Sequence, residues 1–228
     1  MSNETIQREI KSYVLRQGKI TPGQKNALER YLPIYGINYQ QTTVDLNNYF
    51  GRSNKRVIEI GFGMGHATWQ IAKNNPDIDY LGIEVHLPGV GALLMQLEEH
   101  KVQNLRVIRH DAVEVIKNMI PDNSIHGFHI FFPDPWHKKR HHKRRIIQDH
   151  FVELLAQKLH TGGYIHLATD WEDYAIWMLE ILNRQKLLKN SSPSGDYIAR
   201  PEYRPLTKFE NRGINLGHGV WDLVFEKI

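Results

Sequence analysis

Short apolar segments alternate with amphipathic segments along most of the chain. Five apolar segments have the length and composition of buried strands, and they lie at residues 56–60, 80–85, 105–109, 125–132 and 164–168. The amphipathic segments that follow them predict helices at residues 66–73, 88–100, 113–119, 145–159 and 174–185. Strands and helices that alternate at this spacing indicate an α/β fold with a doubly wound, mostly parallel sheet.

The two ends of the chain are less regular. The sequence GHGVWDLVF at residues 217–225 predicts a last strand at an edge of the sheet, which we expect to be antiparallel. The first fifty residues are polar, and Thr21-Pro22-Gly23 predicts the start of one short helix over Gln24–Tyr31. We therefore predict one domain over residues 51–228 and an N-terminal extension over residues 1–50.

Composition limits the class of protein. Hydrophobic residues make up 41% of the 228 residues, which is enough to build a core. No stretch approaches the roughly 20 apolar residues that a membrane helix needs, and the first residues lack the apolar core of a signal peptide. The chain has no cysteine, which excludes disulfides, thiolate zinc sites and cysteine nucleophiles. A cytoplasmic protein is the resulting expectation.

Positive charge is concentrated in one place. The formal net charge is only +4, but residues 137–145 read HKKRHHKRR, with six Lys or Arg and no acid. We call these residues the basic segment. A run of this kind is often only a solvated surface, so its position in the fold decides its meaning. Its three histidines have no acidic partner and are surrounded by cations, so we predict no metal site there.

A glycine cluster lies where the first strand turns into the following helix, in EIGFGMG at residues 59–65. Gly61, Gly63 and Gly65 let the backbone pass close beneath a bound nucleoside, which a side chain would prevent. In open α/β sheets, ligands bind beyond the carboxyl ends of the strands, where this turn lies. The spacing is GxGxG followed by His66, whereas a dinucleotide-binding turn carries GxGxxG. The turn therefore favours a nucleoside without a pyrophosphate.

Two carboxylates follow the next two strands. Glu84 closes the second strand, 19 residues after Gly65, where it can accept hydrogen bonds from both ribose hydroxyls. Many α/β nucleotide-binding proteins carry an acid at this position, so Glu84 alone does not separate NAD from other nucleosides. Asp111 follows the third strand, where it can read an adenine amino group, cap the next helix, or do both.

The most informative segment follows the fourth strand and reads FFPDPWHKKR at residues 131–140. Asp134 lies at the carboxyl edge of the sheet between Pro133 and Pro135, which restrict the backbone on both sides. Trp136 offers a stacking face for a base, and the basic segment begins directly after it. We therefore expect the fixed acid, the aromatic ring and the positive charge to face one cleft together with the glycine turn.

The sequence FPDPWHKKRH resembles the signature of the tRNA (guanine-N7)-methyltransferase family. The similarity extends to the glycine turn, Glu84, His110-Asp111-Ala112, Thr169-Asp170 and RPLTKFENRG at residues 204–213, and it spans about residues 10–226. His110 departs from the polar residue of many relatives, which leaves the assignment of Asp111 intact. The resemblance implies a Rossmann-like class I methyltransferase fold, S-adenosyl-L-methionine as cofactor, and the guanosine at position 46 of the tRNA variable loop as substrate.

The resemblance also implies roles for individual residues. It makes Asp134 the catalytic residue. The residues expected to bind the cofactor are Glu59, Gly61, Gly63, Gly65, Glu84, Asp111 and Asp134. The residues expected to bind the substrate are Lys138, Asp170, Thr207, Lys208, Phe209 and Glu210.

The chemistry of guanine limits what the protein must supply. N7 has an available lone pair, so its attack on a sulfonium methyl group needs no strong general base. We expect Asp134 to orient the guanine and to stabilise the charge that develops on it, with Asp170 as the second candidate. RNA contacts are expected from Lys139, Arg140, Lys143, Arg144 and Arg145. The predicted partner is tRNA, with neither membrane nor metal, and the protein is either a monomer or a homodimer.

Three alternative functions are less consistent with the sequence. An NAD(P)-dependent oxidoreductase is disfavoured by His66 and by the lack of a recognisable Tyr-x-x-x-Lys pair. A non-catalytic RNA-binding module has no need for four acids on one rim. A methyltransferase that acts on DNA or protein is the third alternative; the DNA methyltransferases that modify nitrogen carry Asn or Asp-Pro-Pro-Tyr after the fourth strand, where this chain has Pro-Asp-Pro-Trp.

Overall fold

The computed structural model of the protein describes residues 11–14, 18–206, 210 and 219–228. Its strands are β1 (Lys55–Ile60), β2 (Ile78–Ile83), β3 (Leu105–Ile108), β4 (Ile125–Phe131), β5 (Leu159–Thr169), β6 (Leu188–Asn190) and β7 (Trp221–Lys227). They form one sheet in the order β3-β2-β1-β4-β5-β7-β6. Strands β1 to β5 are parallel to one another, whereas β7 is antiparallel to both β5 and β6. The predicted fold class is confirmed.

Helices cover both faces of this sheet. They are α1 (Pro22–Tyr35), α2 (Asn47–Phe50), α3 (His66–Asn74), α4 (Leu87–Glu99), α5 (Ala112–Asn118), α6 (Asp149–Lys158) and α7 (Glu172–Asn183), with a 3-10 helix at Lys139–Arg144. Because successive side chains of a strand point to opposite faces, Ile58 and Leu81 pack with α5, α6 and α7. Val57 and Tyr80 pack with α1, α3 and α4 on the other face.

Two helix starts follow directly from local sequence signals. Thr21 and Gln24 form a capping box at α1, since each side chain accepts a hydrogen bond from the backbone N–H of the other. Asp111 caps α5 by accepting a hydrogen bond of 3.0 Å from the backbone N–H of Val113. The helix-cap role predicted for Asp111 is confirmed.

Residues 22–50 pack on the same core as the sheet. Helix α1 lies against α4, and Gly36 pairs with Val107 at the outer edge of β3. Ile37, Val44 and Leu46 are buried in the core. Over these residues, the predicted N-terminal extension is therefore built into the domain.

Two predicted boundaries are wrong. The helix expected from residue 145 begins only at Asp149. Ile147 lies in the irregular segment before it, and because its side chain is buried there, it extends the apolar pattern of the helix. The fifth strand, expected from residue 164, begins at Leu159 directly after α6, so Thr161-Gly162-Gly163 lies inside β5. The short strand β6 carries too few residues to leave a pattern, and it was not predicted.

None of the helices in the described parts of the chain is long and apolar enough to cross a lipid bilayer.

Candidate active site

The glycine turn connects β1 to α3. Gly61, Gly63 and Gly65 have φ values of 74°, 58° and 73°, in the left-handed region that side chains rarely adopt. A Cβ atom added to Gly61 or Gly63 would meet no atom within 4 Å. The turn therefore needs glycine for its conformation, and it leaves open space beside the backbone.

Glu84 ties the end of β2 to this turn. Its Oε2 accepts a hydrogen bond of 2.8 Å from the backbone N–H of Gly63. Its Oε1 accepts hydrogen bonds from the backbone N–H groups of Val85 at 2.7 Å and His86 at 2.9 Å. A carboxylate offers about four acceptor positions, so three of them hold the protein backbone. Glu84 thus shapes the turn and keeps limited capacity for a ligand hydroxyl.

Glu59 lies behind the glycine turn, near the end of β1, and only 5% of its surface is exposed. Burial raises the pKa of Glu59 from its ordinary value near 4.5 to about 7, with the nearby hydroxyl of Thr68 opposing the rise and the nearby charge of Glu84 adding to it. A carboxyl group with this pKa is poised to lose its proton when a cation binds next to it.

The loop after β4 holds Asp134 between two unusual backbone conformations. Phe132 and Trp136, two residues before and after it, have φ values of 52° and 49°. Such a conformation costs a non-glycine residue about 1–3 kcal/mol, so the surrounding structure must enforce it. The backbone N–H of Phe132 donates a hydrogen bond of 2.7 Å to the carbonyl of Ala168 at the end of β5. Asp134 itself is exposed.

A cavity of about 250 Å³ lies at the carboxyl edge of the sheet. Four loops contribute to its wall, and the residues predicted to bind the cofactor that line it are Gly61, Glu84, Asp111 and Asp134. Ile146, directly after the basic segment, also lines it. The glycine turn and the acid between two prolines therefore meet at one cavity, and the chain directly after the basic segment reaches its wall at Ile146.

Residues 11–14 complete the wall of this cavity. Ser12 and Tyr13 line it, and Nζ of Lys11 lies 2.9 Å from Oδ2 of Asp111. The same Nζ lies 2.9 Å from Oε1 of Glu114. Sequence reasoning missed these residues, because a polar segment without a motif carries no signal for a contact about a hundred residues away.

The basic segment divides into exposed and engaged cations. The exposed ones are Lys138, Lys139, Arg140 and Lys143. Arg144 is half-buried, and its guanidinium donates hydrogen bonds to the carbonyls of Lys11 at 3.2 Å and Tyr13 at 3.3 Å. It also lies 4.4 Å from the centre of the Trp136 ring. Arg144 therefore connects the basic segment to the wall of the cavity.

Arg145 has a different place from the predicted one. It is 2% exposed, and its guanidinium forms an ion pair with Asp173 and donates a hydrogen bond of 2.9 Å to the carbonyl of Pro135. The guanidinium lies 4.6 Å from the ring centre of Tyr174 and 5.3 Å from that of Trp177. The prediction that Arg145 contacts RNA is wrong, since the side chain is enclosed by α7.

Asp170 follows β5 and is exposed on the same edge of the sheet. The next residue, Trp171, is 39% exposed and caps α7. Its ring lies 4.2 Å from the ring of His137, at an interplanar angle of 70°. The loop that carries Asp170 is therefore in contact with the start of the basic segment.

The last predicted substrate residues have different outcomes. Thr207, Lys208 and Phe209 lie outside the described residues. Glu210 is 2% exposed, and its two carboxylate oxygens each accept a hydrogen bond of 2.7 Å from the guanidinium of Arg204. The prediction that Glu210 contacts the substrate is therefore wrong, because its carboxylate lies inside the protein.

Among the described residues, no group of three or more His, Asp or Glu side chains is arranged to hold a metal ion.

A sheet of this order, with the glycine turn after β1 and acids after β2, β3 and β4 around one cavity, defines a class I methyltransferase. The model of the family described as "Putative methyltransferase" matches residues 53–223.

Two relatives of known name identify the family more closely. The tRNA (guanine-N(7)-)-methyltransferase of Chromobacterium violaceum is 58% identical over 227 residues, which cover 100% of both chains. The protein of the same name from Methylobacillus flagellatus is 55% identical over 225 residues, which cover 98% of this chain and 94% of that one. The chain belongs to the tRNA (guanine-N(7)-)-methyltransferase family, and the family predicted from the sequence is confirmed.

Solved structures agree on the fold. The 16S rRNA methyltransferase KamB superposes with a TM-score of 0.59 at 13% identity, covering 82% of this chain and 96% of that one. The aminoglycoside resistance methyltransferase NpmB1 superposes with a TM-score of 0.55 at 13% identity, covering 83% and 95% of the two chains.

Proposed function

We propose that the protein transfers the methyl group of S-adenosyl-L-methionine to N7 of the guanosine at position 46 in the variable loop of tRNA. One observation carries the proposal: Gly61, Glu84, Asp111 and Asp134 meet at one cavity next to the exposed lysines of the basic segment. The shared name of the relatives supports the same base and the same atom. We expect the reaction to take place in the cytoplasm.

The residues at the cavity fit a cationic nucleoside. A Cβ atom added at Gly61 or Gly63 would meet no atom within 4 Å, so the backbone of the turn leaves open space for a ligand. Glu84 can accept a further hydrogen bond from a ribose hydroxyl. A positive ligand near Glu59 lowers the pKa of its carboxyl group and so favours the ionised form. S-adenosyl-L-methionine supplies a sulfonium methyl group, which is electrophilic without further activation.

The transfer itself needs alignment more than proton transfer. The lone pair of N7 forms a bond to the methyl carbon while the carbon–sulfur bond breaks and its electron pair stays on sulfur. No proton leaves N7, so Asp134 has no need to act as a base. Positive charge moves onto the purine, where the carboxylate of Asp134 stabilises it or holds the N1 and N2 donors of the ring. Alignment of this kind contributes up to about 7–11 kcal/mol.

RNA binding depends on the rim of the cavity. A guanosine inside folded RNA has to be exposed before it reaches the methyl group, at a cost of a few kcal/mol. Phosphate contacts from Lys138, Lys139, Arg140 and Lys143 offset part of that cost. Trp171 is an exposed ring on which a displaced base can stack.

The deciding experiment is incubation of the protein with labelled S-adenosyl-L-methionine and unmodified tRNA, followed by nucleoside analysis. The proposal expects the label in 7-methylguanosine alone. A tRNA in which guanosine 46 is replaced by adenosine is the matched control, and it should take up no label. Label in the protein, in another nucleoside or in the control tRNA would contradict the proposal.

A further inference from the structure

A buried polar network lies next to the ends of β4 and β5, from which the loops of Asp134 and Asp170 leave. Its centre is Arg204, which is 0% exposed and holds two carboxylates. The guanidinium donates hydrogen bonds of 2.7 Å and 2.8 Å to the two oxygens of Asp222, and two of 2.7 Å to the oxygens of Glu210. Paired hydrogen bonds to both carboxylates fix the orientation of all three groups, which a lysine ammonium cannot reproduce.

The network continues from Asp222 into β5. Nε2 of His166 lies 2.8 Å from Oδ1 of Asp222, and Nδ1 of His166 lies 2.7 Å from the hydroxyl of Tyr203. Burial lowers the pKa of His166, so the ring is neutral near pH 7. Because Asp222 only accepts, Nε2 carries the ring proton and Nδ1 accepts from Tyr203. Tyr203 and Arg204 are consecutive, so two neighbouring side chains anchor this segment to the sheet.

Arg204 is also adjacent to the strand ends from which the site loops leave. Asp222 pairs with Ala168 in β5, two residues before Asp170. The guanidinium lies 5.5 Å from the ring centre of Phe132, whose left-handed backbone leads into the loop of Asp134. Glu210, on the other side of the guanidinium, ends the segment 207–210 that was predicted to bind substrate.

We propose that Arg204 is a positioning residue for tRNA methylation, which holds Glu210 and Asp222 in a fixed relation to the loops of Asp134 and Asp170. It acts through Glu210 and Asp222 and does not touch the substrate. This inference rests on the proposed function. It also explains why Glu210 is buried although its neighbours in sequence were predicted to bind RNA.

The experiment compares Arg204→Lys, Glu210→Gln and their double variant. Each is checked for folding by circular dichroism and thermal unfolding, then assayed for kcat and KM with tRNA and for S-adenosyl-L-methionine affinity. We expect kcat/KM for tRNA to fall at least about tenfold in each single variant, and cofactor affinity to stay within about twofold. The double variant should be no worse than Arg204→Lys, because both changes break one connection.

Lys227→Met is the matched control for loss of a buried cation. Lys227 is 9% exposed and lies at the opposite end of the same strand β7, where its Nζ donates hydrogen bonds to Asn123 and to the carbonyl of Leu159. We expect it to lower the melting temperature and to leave kcat and KM unchanged.

Three outcomes overturn the inference: wild-type kcat and KM in folded Arg204→Lys, multiplying effects in the double variant, or an equal loss of activity in Lys227→Met. Multiplying effects would indicate that Glu210 acts independently of Arg204. If Arg204→Lys does not fold, Glu210→Gln decides the question: kcat/KM for tRNA should fall while affinity for S-adenosyl-L-methionine stays the same. A wild-type protein that forms no 7-methylguanosine would instead overturn the proposed function.

Discussion

Oε2 of Glu84 accepts a hydrogen bond of 2.8 Å from the backbone N–H of Gly63, which joins the end of β2 to the turn after β1 across 21 residues. The other carboxylate oxygen holds two further backbone N–H groups. A single acid thus sets the shape of the turn that the cofactor is proposed to occupy, and substitution of this acid tests the assignment of the site.

Glu84→Gln should weaken cofactor binding more than catalysis. An amide keeps the shape of the side chain, but its NH₂ group replaces one of the two oxygens that accept the three backbone hydrogen bonds. At least one backbone N–H then faces another donor. Hydrogen bonds to a charged group contribute about 1.5–3 kcal/mol each, so we expect KM for S-adenosyl-L-methionine to rise at least about tenfold. Steady-state kinetics with saturating tRNA measures this. Exposed Glu153→Gln is the control, and an unchanged KM in Glu84→Gln would contradict the assignment.

Asp134→Asn should lower kcat by about a hundredfold or more, since the amide keeps the shape and loses the charge that stabilises the methylated purine. Cofactor affinity should change much less, because the main contacts of the turn are made by Glu84. Single-turnover rates and equilibrium dialysis separate the two quantities. A normal rate in the variant would show that Asp134 is not catalytic.

Cofactor binding should release a proton near neutral pH. The pKa of Glu59 is raised by burial to about 7 in the free protein, so a cationic ligand that lowers this pKa displaces the proton. Affinity for S-adenosyl-L-methionine should therefore increase between about pH 6 and pH 8. Calorimetry in two buffers of different ionisation enthalpy detects the released proton, and Glu59→Gln should abolish both the release and the pH dependence.

The same raised pKa predicts the pH dependence of stability. Glu59 ionises more readily in the unfolded chain, with a pKa near 4.5, than in the folded protein. Its contribution is therefore fully present below about pH 4.5 and is lost as the pH rises through about 7. Urea unfolding of the cofactor-free protein at pH 6 and pH 8 should show a smaller pH-dependent loss in Glu59→Gln than in wild type.

Affinity for tRNA should fall steeply with salt. On a log–log plot, the slope has a magnitude of about 0.7–0.9 for each phosphate contact. Replacing Lys139 or Lys143 by alanine should reduce the magnitude of the slope by about 0.7–0.9, the contribution of one phosphate contact. Lys186, which is exposed and lies near the opposite end of the sheet, is the control. A slope that stays the same in all variants would place the RNA elsewhere.

Arg145 and Lys143 should respond differently to alanine, although they are two residues apart. Arg145→Ala leaves buried space beside Tyr174 and removes the donor that holds the carbonyl of Pro135, so we expect a loss of about 2–5 kcal/mol in unfolding free energy. Lys143→Ala should leave stability within about 0.5 kcal/mol and weaken tRNA binding. Chemical denaturation and filter binding test both variants. The reverse pattern would restore Arg145 as an RNA contact.

Much of the fold was predictable because its signals are local. The periodicity of apolar residues around Ile58 and Leu81, the glycines of the turn and the capping aspartate Asp111 act through neighbours close in the chain. Asp134 was recognisable for the same reason, since the prolines beside it restrict the backbone whatever the rest of the protein does.

Only the tertiary structure decided which distant parts of the chain are in contact. Arg145 and Lys143 look alike in sequence, and only the packing of α7 makes one of them internal. Arg144 reaches the carbonyl of Lys11 across 133 residues, and Arg204, in an irregular segment, pairs with Asp222 of β7. Such pairings depend on which side chains the completed sheet brings within hydrogen-bond distance, and no pattern in the local sequence records that distance.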